Sequence, residues 1–167
     1  ILDGPGALLA KTGGVNALAN LSNNRTAGSL TVRNSSNLTL NFDLSNSGVV
    51  EIGQGSVLTL NGLVQDTGET RLDQGTIVTP NFSGIEIDGG FLRGSGTMTV
   101  GQLAILGGAI APGASAGRLV VQGEYLQLGG SLQIELGGLD PAQYDNLHVI
   151  GEARLEGGHL DVSLLDG

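Results

Sequence analysis

Leu38-Thr39-Leu40-Asn41-Phe42 returns as Leu58-Thr59-Leu60-Asn61-Gly62, and again, at the same spacing, as Val78-Thr79-Pro80-Asn81-Phe82. Self-similarity at a fixed spacing of about 20 residues marks a repeat architecture. A second segment keeps step with the first: Ser47-Gly48-Val49-Val50-Glu51-Ile52 is echoed by Thr67-Gly68-Glu69-Thr70-Arg71-Leu72. Glycines open strand-like segments at Gly28, Gly48, Gly68, Gly89, Gly108, Gly130 and Gly158, so the period drifts late in the chain without vanishing.

Within each repeat the apolar residues alternate, as in Leu38 and Leu40, Leu58 and Leu60, or Val50 and Ile52. A period of two is the signature of a strand with one buried face. Gly, Asn, Asp and Ser fill the gaps, and no stretch carries a capped helical stripe, which argues against βαβ units. Short strands that match from repeat to repeat stack in parallel and in register. The expectation is therefore an all-β, right-handed, single-stranded parallel β-helix (a β-solenoid) of about 20 residues per coil, with no helices of note. About eight coils at about 4.8 Å per rise would make a rod about 40 Å long.

Stacking at this period predicts an inward column of Leu38, Leu58 and Val78, and a second of Leu40, Leu60 and Pro80, with the proline at a strand end or bulge. Asn41, Asn61 and Asn81 fall at one strand end, where stacked amides form a structural ladder. Thr39, Thr59 and Thr79 make a single threonine column without a partner column. Glu51 is expected over Arg71 on the outer face, as an exposed pair.

The 167 residues suit one elongated domain, and the repeat gives no reason to divide it. Residues 1–27 fit the pattern least, 28–107 read as regular coils, and 108–167 as irregular coils. Gly107 to Gly117 reads as a long small-residue turn. The segment 137–146 interrupts two similar strands, Gly130-Ser131-Leu132-Gln133-Ile134-Glu135-Leu136 and Gly158-His159-Leu160-Asp161-Val162-Ser163-Leu164, and reads as a projecting loop. Both ends break off inside the repeating style, as expected of a fragment of a longer chain.

A net charge of −9 with only seven Lys and Arg argues against nucleic acid as a partner, because phosphate binding needs clustered cations. Cysteine is absent, so disulfides and thiolate metal sites are excluded. No apolar run reaches membrane-spanning length, so membrane insertion of this segment is not expected.

Glycoside chemistry needs two carboxyl groups across a cleft. Asp66, Glu69 and Asp73, or Glu86 with Asp88, could supply them, but these read as solvated outer-face residues. His148 and His159 lack a repeated ligand spacing. The Gly-Gly-x-Gly-x-Asp tandem of calcium-binding rolls does not occur. No catalytic, cofactor or metal residues are therefore assigned. The phenylalanines read as core. Asp140, Tyr144 and Asp145 form the one candidate ligand loop, with Tyr144 as its accessible aromatic.

Three segments carry a resemblance: Gly94-Ser95-Gly96-Thr97-Met98-Thr99-Val100, Ala111-Pro112-Gly113-Ala114-Ser115-Ala116-Gly117-Arg118-Leu119, and Gly130-Ser131-Leu132-Gln133-Ile134-Glu135-Leu136. With Tyr144-Asp145-Asn146-Leu147-His148-Val149 they make the chain from about Gly89 onward resemble the glycine-rich β-strand repeats of bacterial autotransporter passenger domains and large surface exoproteins. That resemblance implies a secreted rod on a bacterial surface, frequently without enzymatic function. The expected role is a stalk or scaffold segment of an adhesin, matrix or filament protein. Its expected partners are neighbouring domains, copies stacked end to end, surface glycans or host proteins. The alternative is a polysaccharide-degrading enzyme or carbohydrate-binding module.

Overall fold

In Val49–Ile52 the side chains of Val50 and Ile52 are fully buried while Val49 and Glu51 lie on the outer face. The same alternation recurs as far as Arg118–Gln127 in the computed structural model, which describes residues 1–80, 83–113 and 116–165. The chain is all-β, a β-solenoid of stacked coils averaging about 22 residues, with no α-helix among the described residues.

Three stacks of parallel strands form its faces. The first runs from Ser29–Arg33 through Val49–Ile52, the starts of Glu69–Val78 and Phe91–Ile105, Ala109–Pro112 and Ser131–Leu136 to His159–Leu164. The second climbs from Asn37–Thr39 to Asn146–Ile150, and the third from Asn23–Asn24 to Ala153–Leu155. Among the described residues, antiparallel contact is confined to isolated bridges such as Leu136 with Tyr144. Aliphatic side chains from all three faces meet along the axis in one continuous core, extending from Leu30 to Val121 and closed near its far end by buried Tyr125.

The regular stack of the first face is seven strands deep rather than eight. Its inward column reads Leu30, Val50, Thr70, Leu92, Ile110, Leu132, Leu160, with the shortest step along the chain from Leu92 to Ile110 and the longest from Leu132 to Leu160. Six rises of about 4.8 Å give a stack of about 29 Å, shorter than the expected rod. The residues before Asn23 do not wind in step. Leu2–Asp3 pairs with Val32 and Arg33, a longer step than any in the regular stack, and Ala7, Leu18 and Leu21 pack onto the core.

Register changes one expected column. Leu38 stacks on Leu58, but Leu58 stacks on Ile77, and Val78 lies against Thr59 on the outer face. The reason is a shortened corner. Four residues, Gly53 to Ser56, separate Ile52 from Val57, whereas only Asp73, Gln74 and Gly75 separate Leu72 from Thr76. Gln74 turns this tighter corner in the left-handed region at φ 58°. A slip of one residue exchanges the two faces of a strand, so Ile77 takes the core position. Leu40 and Leu60 are buried as expected, but Thr79 continues their line inward, and Pro80 lies exposed just past the strand. The threonine column ends at Thr59 for the same reason.

The glycines form a spine at the corner leading into the first face. The amide of the residue after each spine glycine donates to the glycine one coil earlier: Val49 to Gly28, Glu69 to Gly48, Phe91 to Gly68, Ala109 to Gly90, Ser131 to Gly108 and His159 to Gly130. Gly90 rather than Gly89 holds the fourth position. It has φ 71°, and a Cβ there would drive into the Gly68 carbonyl. Coils about 4.8 Å apart leave no room for a side chain at this corner, which is why glycine returns with the repeat. The Gly107–Gly117 stretch is not all turn, because Ala109–Pro112 forms a strand with Ile110 fully buried.

Candidate functional site

A line of buried amides lies beside the glycine spine. The Asn24 Nδ2 donates to Asn46 Oδ1 at 2.8 Å, and Asn46 Nδ2 donates to Gln65 Oε1 at 3.2 Å. Each amide also reaches into the next coil: Asn24 to the Val49 carbonyl, Asn46 to that of Glu69, Gln65 to that of Phe91 and Gln127 to that of His159. The Asn46 Oδ1 further accepts from the Gly48 amide, and the Thr70 hydroxyl donates to Gln65 Oε1. These bonds satisfy main-chain groups that the sharp corner turns away from the strand ladder. Tyr125 joins the same line. Its hydroxyl donates to Gln127 Oε1 at 2.9 Å, and burial pushes its pKa up to about 12.

The amides singled out from the sequence do something different. Asn41 and Asn61 are exposed, and Asn61 Nδ2 donates to the Asn41 main-chain carbonyl at 2.8 Å rather than to its amide. Asn81 lies outside the described residues. The buried ladder escapes notice because its amides, Asn24, Asn46, Gln65 and Gln127, stand at unequal distances before their spine glycines, Gly28, Gly48, Gly68 and Gly130.

A groove of about 840 Å³ opens on the first face. By register Glu51, Arg71, Arg93 and Ala111 occupy successive levels of one outer column, and Gln133 and Asp161 continue the groove toward the last coil. Gly94, Ala111 and Gly113 give it a low floor, with Arg71 and Arg93 toward one end and Glu135, Asp145 and Asp161 toward the other. Its volume falls in the range of small-molecule sites.

Glu69 organises the end that holds the two arginines. Its Oε1 accepts from Arg71 Nε at 2.8 Å and Arg93 Nε at 2.5 Å. Arg93 first, and Arg71 with it, holds the Glu69 carboxyl below the ordinary glutamate value. The expected pairing of Arg71 with Glu51 gives way to this one: Glu51 does stack on Arg71, but the neighbouring column offers a carboxylate to both guanidinium groups at once. Arg93 also lies 5.6 Å from the centroid of the Phe91 ring.

The other candidate carboxylates are dispersed. Asp73 lines the groove, while Asp66 is exposed and accepts from the Ser47 hydroxyl. Glu86 and Asp88 flank buried Ile87 on an outward strand, where desolvation and then the charge of Asp88 push the Glu86 carboxyl up. Glu69, held ionised, lacks the proton that a general acid must deliver. Among the described residues no group of three or more His, Asp or Glu side chains is arranged to hold a metal ion.

Two aromatic expectations change. Phe42 and Phe91 are 51% and 45% exposed, because the outward side of the strands and corners receives them rather than the core. Phe82 lies outside the described residues. In the loop, Asp140 caps a 3-10 helix, Pro141–Gln143, accepting from the Ala142 amide at 2.9 Å. Tyr144 is half-buried beside Leu136. Asp145 is buried, its two oxygens accepting from the Gly117 and Glu135 amides at 2.9 and 3.0 Å. Burial raises its carboxyl above the usual aspartate value against the pull of those bonds. The structure thus brings Asp145 to the groove wall and leaves Asp140 on the exposed tip, so the three do not converge on one ligand position.

The two ends of the stack differ. Residues 1–22 lie over the first coil, whereas the inward columns of the last coil end on Leu155, Leu160 and Leu164, of which Leu160 is 60% exposed. Among the described residues no helix is long and apolar enough to cross a membrane. No protein-family model matches this chain, and neither a curated protein nor a solved structure does so.

Proposed function

We propose that this chain is a non-catalytic stalk or scaffold segment of a secreted bacterial surface or extracellular matrix protein. The observation that carries the reading is the continuity of the stack: the aliphatic core and the glycine spine tie one coil to the next along its length, and the amide line joins the first three coils. Such a quasi-one-dimensional body transmits load through many equivalent interfaces, and its length scales with repeat number. The exposed Leu155, Leu160 and Leu164 suit continuation by a neighbouring domain or a further copy.

Single-molecule pulling along the stack is the test. Stepwise rupture at high force, with released lengths near one coil, supports a stalk. Collapse at low force in a single step, or depolymerisation of any member of a panel of acidic and neutral polysaccharides, overturns it.

A second reading rests on the groove. Arg93, which lines the groove with a floor of small residues and polar walls and lies against exposed Phe91 outside it, suits a glycan chain lying along the rod, which would make the segment an adhesive stalk. Glycan-array binding that Arg93→Ala abolishes supports it, and a blank array removes it.

A further inference from the structure

The sequence holds five Asn-X-Ser/Thr tripeptides: Asn20-Leu21-Ser22, Asn24-Arg25-Thr26, Asn34-Ser35-Ser36, Asn37-Leu38-Thr39 and Asn81-Phe82-Ser83. Eleven asparagines and 23 Ser and Thr in 167 residues would give about 1.5 such tripeptides at random placement. This pattern is the acceptor for asparagine-linked sugar. The fold separates the tripeptides sharply.

Asn24 is buried, and both its amide protons are spent on Asn46 Oδ1 and the Val49 carbonyl. A sugar on that nitrogen would break the amide line. Asn34 donates to Asp3 Oδ1 and sits at φ 55°, while the hydroxyl of its Ser36 is turned inward to the Gly4 carbonyl. Asn81 lies outside the described residues. Asn37 is the opposite of Asn24. It is exposed, its side chain makes no hydrogen bond among the described residues, and Thr39 shares its outward face because Leu38 between them points into the core. Asn20 is likewise exposed, in the turn beside this strand, where the Ala19 carbonyl accepts from the Asn41 amide.

We propose that Asn37, with Asn20 as a second acceptor, is glycosylated on Nδ2 and that Asn24 stays bare. The co-substrate is a sugar activated as a glycosyl diphosphate, carried on a nucleotide or a lipid. Nδ2 forms the bond to the anomeric carbon as the bond to the diphosphate oxygen breaks. The leaving diphosphate keeps the electron pair, and one amide proton passes to a base of the transferase. Buried Leu38 cannot leave the folded coil to enter another enzyme's site, so transfer precedes folding of the first coil, and Asn24 is bare in the folded protein because a chain carrying a sugar there cannot close the amide line.

The placement gives the glycan a physical role. Asn37–Thr39 pairs with Val57–Thr59 on one side only, and across its other edge Asn16 Nδ2 donates to the Thr39 carbonyl. A bulky hydrophilic group at Asn37 shields that edge from pairing with another chain. Glycosylation needs only a compartment that supplies the activated sugar, and its failure would leave the mechanical reading intact.

The test is glycopeptide mapping by mass spectrometry on the protein recovered from the cells that natively make it, beside Asn37→Gln and Asn24→Gln variants. The expected result is a hexose-containing increment on the Asn37 peptide, lost in Asn37→Gln, with Asn24 unmodified and total glycan unchanged in Asn24→Gln. A bare Asn37 overturns the proposal, and so does occupancy of Asn24 in the folded protein. A purified transferase of this acceptor class with UDP-glucose should modify the urea-unfolded chain at Asn37 and leave the folded chain unmodified. Equal modification of both overturns the stated order of events.

Discussion

Gln65 stacks on Asn46 inside the solenoid, its Oε1 accepting from the Asn46 amide while its own Nε2 donates to the carbonyls of Gly89 and Phe91. Two adjacent coils are thereby fastened at their sharpest corner by groups that water cannot replace. A buried polar network of this kind is costly when one member is lost, because the remaining donors and acceptors stay buried without partners.

Asn46→Leu should therefore destabilise the chain by about 2–4 kcal/mol, despite adding apolar surface. It removes a partner from the Asn24 amide, from Gln65 Oε1 and from the Glu69 carbonyl together, while the Gly48 amide keeps only the Asn24 main-chain carbonyl. Asn61→Leu, at an exposed amide, should shift stability by less than about 0.5 kcal/mol. Urea denaturation followed by circular dichroism distinguishes them, and equal midpoints would refute the structural weight given to the buried line.

Gly68→Ala should cost about 3 kcal/mol or more, since its new methyl group would collide with the Gly48 main chain of the coil beneath. Gly13→Ala is the control. Nothing lies within 4 Å of a Cβ there, although φ is +88°, so only the left-handed backbone penalty of about 1 kcal/mol applies. Similar thermal shifts for both would mean that the coils can part at the spine.

Acid should weaken the fold through Glu69. Its carboxyl is held below the ordinary value by Arg93 and Arg71, so the unfolded chain binds its proton first as pH drops. The stabilisation is fully present above the unfolded value near 4.5 and is lost as pH falls through the lower folded value. Asp3, lowered by Asn34 and Arg33, has the same sign, while Asp145, raised by burial, has the opposite one. Melting curves between pH 7 and pH 3 should show a shallower acid decline in Glu69→Gln than in the native chain. Parallel declines would remove Glu69 from the account.

Asp145→Asn should loosen the projecting loop. One amide oxygen cannot replace a carboxylate that accepts from both Gly117 and Glu135, so at least one buried amide loses its partner, at a cost of about 1–3 kcal/mol. Leu139, 99% exposed, marks the tip where a protease has access. Faster cleavage between Gly137 and Tyr144 than in the native chain is the expected result, and unchanged kinetics would show that the loop is held by other contacts.

The local pattern by itself determined the class of fold. Alternating Leu, Val and Ile at positions such as Val50 and Ile52 can bury only one face of a strand, and a pattern that returns at regular intervals can satisfy those faces only by stacking. It also located the spine, with Gly90 in place of Gly89 as its single misplacement, because a corner with no room for a side chain leaves its mark in the sequence.

What only the tertiary structure decided was everything that depends on corner length. Dropping one residue at Gln74 put Ile77 rather than Val78 on Leu58, a choice that no single strand encodes. The buried amides likewise stand at variable distances from the glycines they serve, so their common column exists only once the coils are stacked. Glu69 could be recognised as the partner of both Arg71 and Arg93 only after register set the two arginines one above the other. Period fixes which residues face inward. The length of each corner then decides which of them meet.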